Sequence, residues 1–134
     1  TLARIRVAAR HDDLLTDLDG YPGRYLYLLI RQTPNKPVWA LRPGEALEWR
    51  AAALTIEGQT VLLVFSSLAK AIAFMQPAVL AGHIRDINKV GKFSVQTARA
   101  WKLSLLLNPD YALLADHPQT FLAIDPATAE QPDE

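Results

Sequence analysis

The residues best placed to do chemistry in this sequence are Gly91-Lys92-Phe93-Ser94, a glycine and a lysine just before a residue that can begin a helix. A phosphate-binding P-loop needs a glycine five residues before the Gly-Lys pair and a hydroxyl residue directly after the lysine. Asp86 and Phe93 occupy those positions, so the segment does not match a P-loop. Ser94 can still cap a helix, and the start of a helix attracts anions. The segment therefore predicts either an ordinary capped helix or an anion site, whose candidate ligands are Arg85, Lys89, Lys92 and Ser94.

The three histidines do not predict a metal site. His11, His83 and His117 lie far apart and have no second ligand three or four residues away, whereas metal sites are built from clusters. His83 is close in sequence to Arg85 and Asp86, but in a strand His83 and Arg85 would share one face while Asp86 points to the other. Acid–base catalysis by His83 stays an alternative, which would need these groups to converge in a cleft.

Other arrangements of catalytic residues are weak. The surroundings of Ser66 and Ser67 lack the glycines of a nucleophile elbow. The adjacent carboxylates, Asp12-Asp13 and Asp133-Glu134, fit a solvated helix start and a charged tail. The chain has no cysteine, which excludes a disulfide framework, a thiolate metal site and a cysteine nucleophile. We therefore expect no enzymatic activity, no cofactor and no metal.

The composition is that of one globular domain. The chain has 134 residues, of which 50% are hydrophobic and 21% charged, and this length is enough to bury a core. Residues 61–82 are apolar, but in a membrane Lys70 would lie at mid-depth and Pro77 would interrupt the helix. We expect a soluble protein without membrane association, and a cytoplasmic one because a chain without cysteine fits a reducing compartment. The expected domain covers residues 1–125, followed by an acidic flexible tail over residues 126–134.

The charges are segregated although the formal net charge is zero. Residues 70–102 contain six basic residues and one acidic residue, a net charge of +5. Residues 108–134 contain six acidic residues and no Lys or Arg, a net charge of −6. These segments could form a basic binding face and a solvating tail, or two surfaces that neutralise each other within the fold or across a dimer. We favour the second interpretation.

Apolar runs bounded by turn residues predict the strands. Val61–Phe65 and Leu103–Leu107 read as buried strands, and residues 45–57 as a strand that enters a hairpin with residues 60–66 at Gly58. Further strands are predicted at residues 1–10, 24–31, 38–41, 83–92 (bulged) and 120–124.

Three helices are predicted, two of them where a serine precedes an apolar periodicity. A short acidic helix is predicted over residues 11–18. Ser67 would cap a second helix, whose apolar face is Leu68, Ile72 and Met75, with Ala71 beside them, and which Pro77 would end or kink. Ser94 would cap a third over residues 95–102, with Phe93 and Ala98 as a hydrophobic staple. The expected fold is α+β, a mixed, mainly antiparallel sheet with two or three helices packed on one face.

The order of these elements resembles the N-terminal domain of the SseB-like proteins. The likeness rests on Val61–Phe65 leading through Ser66-Ser67 into a helix, and on Leu105-Leu106-Leu107-Asn108-Pro109 after a later helix. It covers residues 24–124. The chain departs from the family pattern at Asp110, where a glycine is usual, and in lacking acidic residues at the start of the helix after Ser67. The resemblance implies an α+β domain without a defined active site, and it carries over no catalytic residue.

These observations predict a non-catalytic interaction or scaffold module that self-associates or binds a protein partner. The first alternative is a binder of a phosphorylated or anionic small molecule at the Lys92–Ser94 helix start. The second is a nucleic-acid-binding domain that uses the basic segment 85–102, which we regard as the weaker because the pI is near neutral and no recognition motif is present. The residues that come closest to a basic patch with aromatics are Lys89, Lys92, Phe93, Arg99, Trp101 and Lys102.

Overall fold

The structure, a computed structural model, describes residues 14–15 and 21–130. The strands within these residues are β1 (Leu14–Leu15), β2 (Tyr25–Thr33), β3 (Glu48–Ile56), β4 (Gln59–Val64), β5 (Lys89–Ser94), β6 (Leu105–Leu107) and β7 (Gln119–Ile124). The α-helices are α1 (Leu68–Leu80) and α2 (Val95–Trp101). Short 3-10 helices occupy Val38–Ala40, Tyr111–Ala115 and Pro126–Thr128.

The strands form one mixed sheet in the order β1-β6-β4-β3-β2-β5, with β7 paired to β3. Among the described pairs, β4 with β6 is parallel and the others are antiparallel. β3 carries two neighbours along one edge, since residues 48–51 pair with β2 and residues 53–56 with β4. β7 pairs with residues 49–54 of β3 along the opposite edge. The predicted α+β class with a mixed, mainly antiparallel sheet is confirmed.

The two faces of the sheet bury separate cores, and each core has its own helix. One core contains Phe93 and receives Ala98 from α2. The other contains Phe65 and receives Phe74 from α1. The prediction placed all helices on one face, and the structure differs because central strands such as β2 are apolar at both odd and even positions, as at Leu28-Leu29. Both faces of such a strand need a cover.

The first helix begins where the sequence predicted it. Ser67 is the N-cap, and its hydroxyl oxygen accepts a hydrogen bond of 3.1 Å from the Lys70 backbone N–H. Pro77 does not end the helix, which continues to Leu80. The helix then closes at Ala81, whose N–H donates to the Pro77 carbonyl oxygen.

The buried face of α1 differs from the predicted one. The predicted face was Leu68, Ile72 and Met75, but Leu68 is 48% exposed. The residues of α1 that are buried are Ala71, Phe74 and Ala78. Because Lys70 and Gln76 are the only side chains of this helix that are neither apolar nor proline, its hydrophobic periodicity does not select one face.

The hairpin predicted over residues 45–66 is confirmed as β3 and β4. Its two turn residues, Glu57 and Gly58, have φ angles of 51° and 79°. Positive φ at both central residues is the conformation of a type I′ turn, whose twist matches that of the flanking strands. The register of β3 on β4 follows from this turn, with Ile56 opposite Gln59.

Three other sequence predictions were wrong in part. Val38–Ala40 forms a 3-10 helix and not a strand, since the Ala40 N–H donates to the Pro37 carbonyl oxygen. Residues 83–88 form no strand, because the chain turns there with φ of 65° at Asp86, and β5 begins only at Lys89. Leu14–Leu15 pairs with β6 as a strand and not a helix. The rest of the helix predicted at 11–18 and the strand predicted at 1–10 lie outside the described residues.

Phe93 joins β5 and α2 to the core. Ser94 caps α2 by accepting a hydrogen bond of 3.0 Å from the Thr97 N–H, as predicted. The Phe93 ring lies edge-on to Trp101, with ring centroids 5.2 Å apart. It also covers Gly91, where a Cβ would come within 2.9 Å of the Phe93 Cε1 atom. Because glycine has no side chain, position 91 leaves space for the Phe93 ring.

The first part of the predicted flexible tail follows the sheet edge. Pro126–Thr128 forms a 3-10 helix, and Ala129 packs against the core that contains Phe93. The Glu130 N–H donates a hydrogen bond of 2.7 Å to the Lys92 carbonyl oxygen. Residues 131–134 lie outside the described part of the chain. Neither α1 nor α2 is long and apolar enough to cross a membrane.

Candidate functional site

The predicted anion ligands do not form a single cluster. Arg85 lies in the turn before β5, and the Gln119 side chain holds its backbone. The Arg85 N–H donates to the Gln119 side-chain oxygen at 3.0 Å, and the Gln119 side-chain amide donates to the Arg85 carbonyl oxygen at 3.2 Å. Lys89 and Lys92 lie three residues apart on β5. Their side chains therefore point to opposite faces of that strand.

Each of the lysines of β5 lies over an aromatic ring of its own face. The Lys89 ammonium is 5.6 Å from the centre of the Trp49 ring, and the Lys92 ammonium is 4.3 Å from that of Tyr25. The Ser94 hydroxyl is already engaged with Thr97, accepting from its N–H and donating to its side-chain oxygen at 2.9 Å. The helix that Ser94 caps has seven residues. These positions give no geometric support to an anion site at the helix start.

The other predicted chemistries find no assembled site in the described residues. No group of three or more His, Cys, Asp and Glu side chains could hold a metal ion there. The Asp86 carboxylate lies 4.0 Å from the Arg31 guanidinium. Phe93 is fully buried, so this aromatic residue of the basic segment is not exposed for stacking on a nucleic-acid base.

A cleft of about 590 Å³ lies beside the start of β5. Its lining includes Gln32, Trp49 and Gly91. The remaining lining residues are Lys36, Pro37, Val38, Leu47, Lys89, Val90, Lys92, Pro126, Ala129 and Glu130. The cleft therefore combines an indole ring with lysines from two segments of the chain.

Gln32 holds the loop that forms one rim of this cleft. Its side-chain oxygen accepts a hydrogen bond of 2.9 Å from the Trp49 indole N–H. Its side-chain amide donates to the carbonyl oxygens of Pro34 and Lys36, at 3.3 and 3.0 Å. Gln32 is the buried polar residue among those described, and such a residue is stable inside a protein only when its groups are paired.

An ion pair closes the same loop at its far end. The Lys36 ammonium lies 2.7 Å from the Glu45 carboxylate, which also accepts a hydrogen bond from the Arg42 N–H. These two partners, the Arg42 N–H first, lower the pKa of Glu45 below its usual value. Glu45 is therefore ionised at neutral pH and stays available to both groups.

The tip of this braced loop exposes apolar side chains. Trp39 is 86% exposed and Val38 is 67% exposed. A tryptophan held at the surface by an ordered loop is a common anchor in protein–protein contacts. The sequence analysis did not single out Trp39, although its position between Pro37 and Pro43-Gly44 was a signal for a tryptophan on a loop.

The outer side of α1 is also apolar. Leu80 is 88% exposed, and Val79 and Leu68 are each about half exposed. A surface helix normally turns charged residues to water. The described part of the chain therefore has apolar surface in two places, the tip of the 33–45 loop and α1.

Two of the outer strands, β5 and β7, differ in how their free edges are protected. β5 carries Lys89 and Lys92, and the Glu130 N–H covers one of its carbonyl groups. The sequence of β7, Gln-Thr-Phe-Leu-Ala-Ile, contains no charge and no proline. Charges, prolines and covering segments are the usual means of preventing an edge strand from pairing with another chain. Within the described residues, β7 has β3 on one side and no strand on the other.

Comparisons with known proteins found no matching family model, no matching curated protein and no matching solved structure.

Proposed function

We propose that this protein is a non-catalytic interaction module that associates with a second copy of itself. The observation that carries the proposal is the edge of β7 that no strand of residues 14–15 and 21–130 pairs with. An edge strand of six residues without charge or proline is a template for another strand. The segregated charges support the same function, because a basic surface and an acidic surface on each copy can attract each other across a two-fold interface. The resemblance to the SseB-like N-terminal domain, which implies no catalytic residue, agrees with it.

Sedimentation velocity over a wide range of protein concentrations tests this proposal. We expect a reversible equilibrium between monomer and dimer at low salt. The equilibrium should shift toward monomer in 1 M NaCl, because salt at that concentration screens charges beyond about 3 Å. A monomer at every concentration and both salt conditions would contradict the proposal.

The exposed loop tip offers a contact for a different protein partner. Trp39 and Val38 lie on the connection between β2 and β3 and supply no backbone group to β7. Trp39→Ser should leave the monomer–dimer equilibrium unchanged while removing the exposed indole. In this proposal the module is a scaffold, with one surface for its own copy and another for a partner protein.

A second candidate function is the binding of a small anion in the cleft, which is favoured by the Lys89 ammonium over the Trp49 ring and by a second lysine, Lys36, in the lining. Inorganic phosphate should then raise the melting temperature of the protein in a saturable way, since a ligand that binds only the folded state stabilises it. Lys89→Ala should abolish that increase, whereas Lys70→Ala, which removes a lysine of α1 outside the cleft, should not. The same increase in both variants would indicate a nonspecific salt effect and contradict this candidate.

A further inference from the structure

The backbone groups that β7 turns toward its free edge are identified by its pairing with β3. The Thr55 N–H donates to the Pro118 carbonyl oxygen, so Thr55 and Pro118 form a hydrogen-bonded pair. In an antiparallel ladder such pairs alternate with pairs that turn their backbone groups outward. With the register that places Ala53 opposite Thr120, the outward N–H and C=O groups of β7 are those of Gln119, Phe121 and Ala123.

We infer that two copies of this chain pair their β7 strands antiparallel about a two-fold axis at Phe121. This inference rests on the proposed self-association and names its surface. A two-fold axis between antiparallel strands is perpendicular to the sheet, so each copy keeps the same face on the same side. Only outward-facing residues can then exchange hydrogen bonds, and a centre at Phe121 uses all three of them, pairing Phe121 with Phe121 of the second copy and Gln119 with Ala123 of the second copy. A centre at Leu122 would instead place Gln119 opposite Asp125, and a centre at Thr120 would place Ala123 opposite His117, each beyond an end of the strand.

The side chains at this centre favour the pairing. Leu122 and Ile124 pack against the core that contains Phe93, so Phe121 lies on the other face of the sheet. It is half-buried there, with the Arg31 guanidinium 5.0 Å from its ring centre. In the dimer, the two Phe121 rings would be direct cross-strand neighbours, and aromatic pairs in that position are stabilising.

The charges at the two ends of β7 are complementary in this register. Gln119 holds Arg85 beside the first residue of the strand, and Asp125 follows its last residue. Pairing about Phe121 places Asp125 of the second copy opposite His117 and diagonal to Gln119, within reach of a long side chain attached there. Arg85 of each copy is thus the candidate ion-pair partner of Asp125 of the other, once its Nε leaves the Gly82 carbonyl oxygen to which it donates at 3.4 Å. The other acidic residue near the start of β7 is Asp116, which precedes His117 and so lies further along the chain from the paired strands.

The register can be tested by cross-linking, because the chain has no cysteine of its own. We expect a short bifunctional thiol reagent to link the two copies of the Phe121→Cys variant to each other, because the proposed register places residue 121 of one copy directly opposite residue 121 of the other. A mixture of Gln119→Cys and Ala123→Cys should give the mixed cross-linked dimer, while neither variant alone should. Efficient linkage of Leu122→Cys to itself, without linkage at 121, would overturn the register.

Variants of the edge provide a second measurement that keeps the chain folded. Ala123 is exposed and its N–H points away from β3, so Ala123→Pro removes an outward donor without breaking the β3–β7 ladder. It should raise the dimer dissociation constant about tenfold or more, as expected when about 1.4 kcal/mol of pairing is lost. Ala123→Val, which keeps the N–H and the strand conformation, is the matched control and should dimerise like the parent protein.

A charge exchange tests the ends of the seam. Arg85→Glu should weaken the dimer several-fold, and Asp125→Lys should do so too. The double variant, Arg85→Glu with Asp125→Lys, should recover most of the loss because the attraction is restored with reversed sign. Asp125 also accepts a hydrogen bond from the Ala127 N–H, so the recovery, and not the single loss, is the decisive result.

Failure of the inference and failure of the proposed function give different results. If the parent protein is monomeric throughout, both are wrong. A second outcome separates the two. If the parent dimerises, but neither Ala123→Pro nor the charge exchange changes the dissociation constant and the cysteine variants do not cross-link, then self-association stands and the β7 seam is wrong. Slow hydrogen exchange of the Phe121 and Ala123 amides in a fully monomeric sample would also overturn the inference, since both N–H groups should be open to water there.

Discussion

Replacing Phe93 by alanine is expected to lower the free energy of unfolding by about 3–5 kcal/mol, as large aromatic-to-alanine changes do in protein cores. Phe93 is fully buried and makes edge contacts with two indole rings, Trp49 at 6.1 Å and Trp101 at 5.2 Å between ring centres. It also lies over Gly91. The alanine variant would therefore lose the contact between β5, α2 and β3 at once. A loss of this size is a large fraction of the about 5–15 kcal/mol that holds a typical domain folded.

Urea unfolding followed by circular dichroism measures this loss. Phe93→Leu is the matched control, because it keeps most of the side-chain volume and should cost less than about 1.5 kcal/mol. A similar cost for Phe93→Ala and Phe93→Leu would show that the ring does not fill the core as the structure indicates. If Phe93→Ala costs as much stability in a Trp101→Ala background as in the parent protein, the Phe93 and Trp101 rings do not interact.

Replacing Gln32 by leucine is expected to cost about 1–3 kcal/mol of stability, because it leaves buried polar groups without partners. The indole N–H of Trp49 loses its acceptor, and the carbonyl oxygens of Pro34 and Lys36 lose their donor. Beyond the stability loss, the 33–45 loop loses one of its two braces. Hydrogen exchange should therefore become faster in this loop, while the β3–β4 hairpin should keep its protection.

Trp49→Phe supplies the control for Gln32, since phenylalanine keeps an aromatic ring and removes the indole N–H. In that background Gln32→Leu should cost less than in the parent, and the difference measures the coupling between the two side chains. Equal costs in both backgrounds would contradict the hydrogen bond between Trp49 and Gln32. Loop exchange that stays slow in Gln32→Leu would show that the Lys36–Glu45 ion pair alone holds the loop.

The elements that local patterns determine could be predicted from the sequence. The serine caps at Ser67 and Ser94 and the turn at Gly58 were predicted because each depends on residues within a few positions of one another. The buried face of α1 was not, because a helix with apolar residues on all sides lacks the periodicity that selects a face. The apolar residues 38–41 predict a strand. Their composition does not reveal that the Pro37 carbonyl oxygen accepts the hydrogen bond that closes a 3-10 turn at Val38–Ala40.

The candidate surfaces depend on contacts that are distant in sequence. No local sequence pattern indicates that Gln32 accepts a hydrogen bond from Trp49. None indicates that β7 lies at an edge of the sheet either, since an edge strand can be recognised only when the partners of all strands are known. The predicted anion ligands were chosen by proximity in sequence, and strand alternation separates Lys89 from Lys92. What could have indicated the seam was the absence of charge and proline from residues 119–124, which is informative only for an edge strand.

The pairing of β3 with β7 also determines the order in which the fold can form. β3 meets β4 through a two-residue turn, a contact that closes quickly because the loop is short. Its other edge is filled by residues 119–124, some seventy positions later by residue number. During synthesis the β3–β4 hairpin can therefore form while the opposite edge of β3 is still open. Until β7 emerges, a nascent chain carries the open edge of β3, and once β7 has paired, the chain carries the free edge of β7 instead. Crowded polysomes would therefore favour pairing between neighbouring chains.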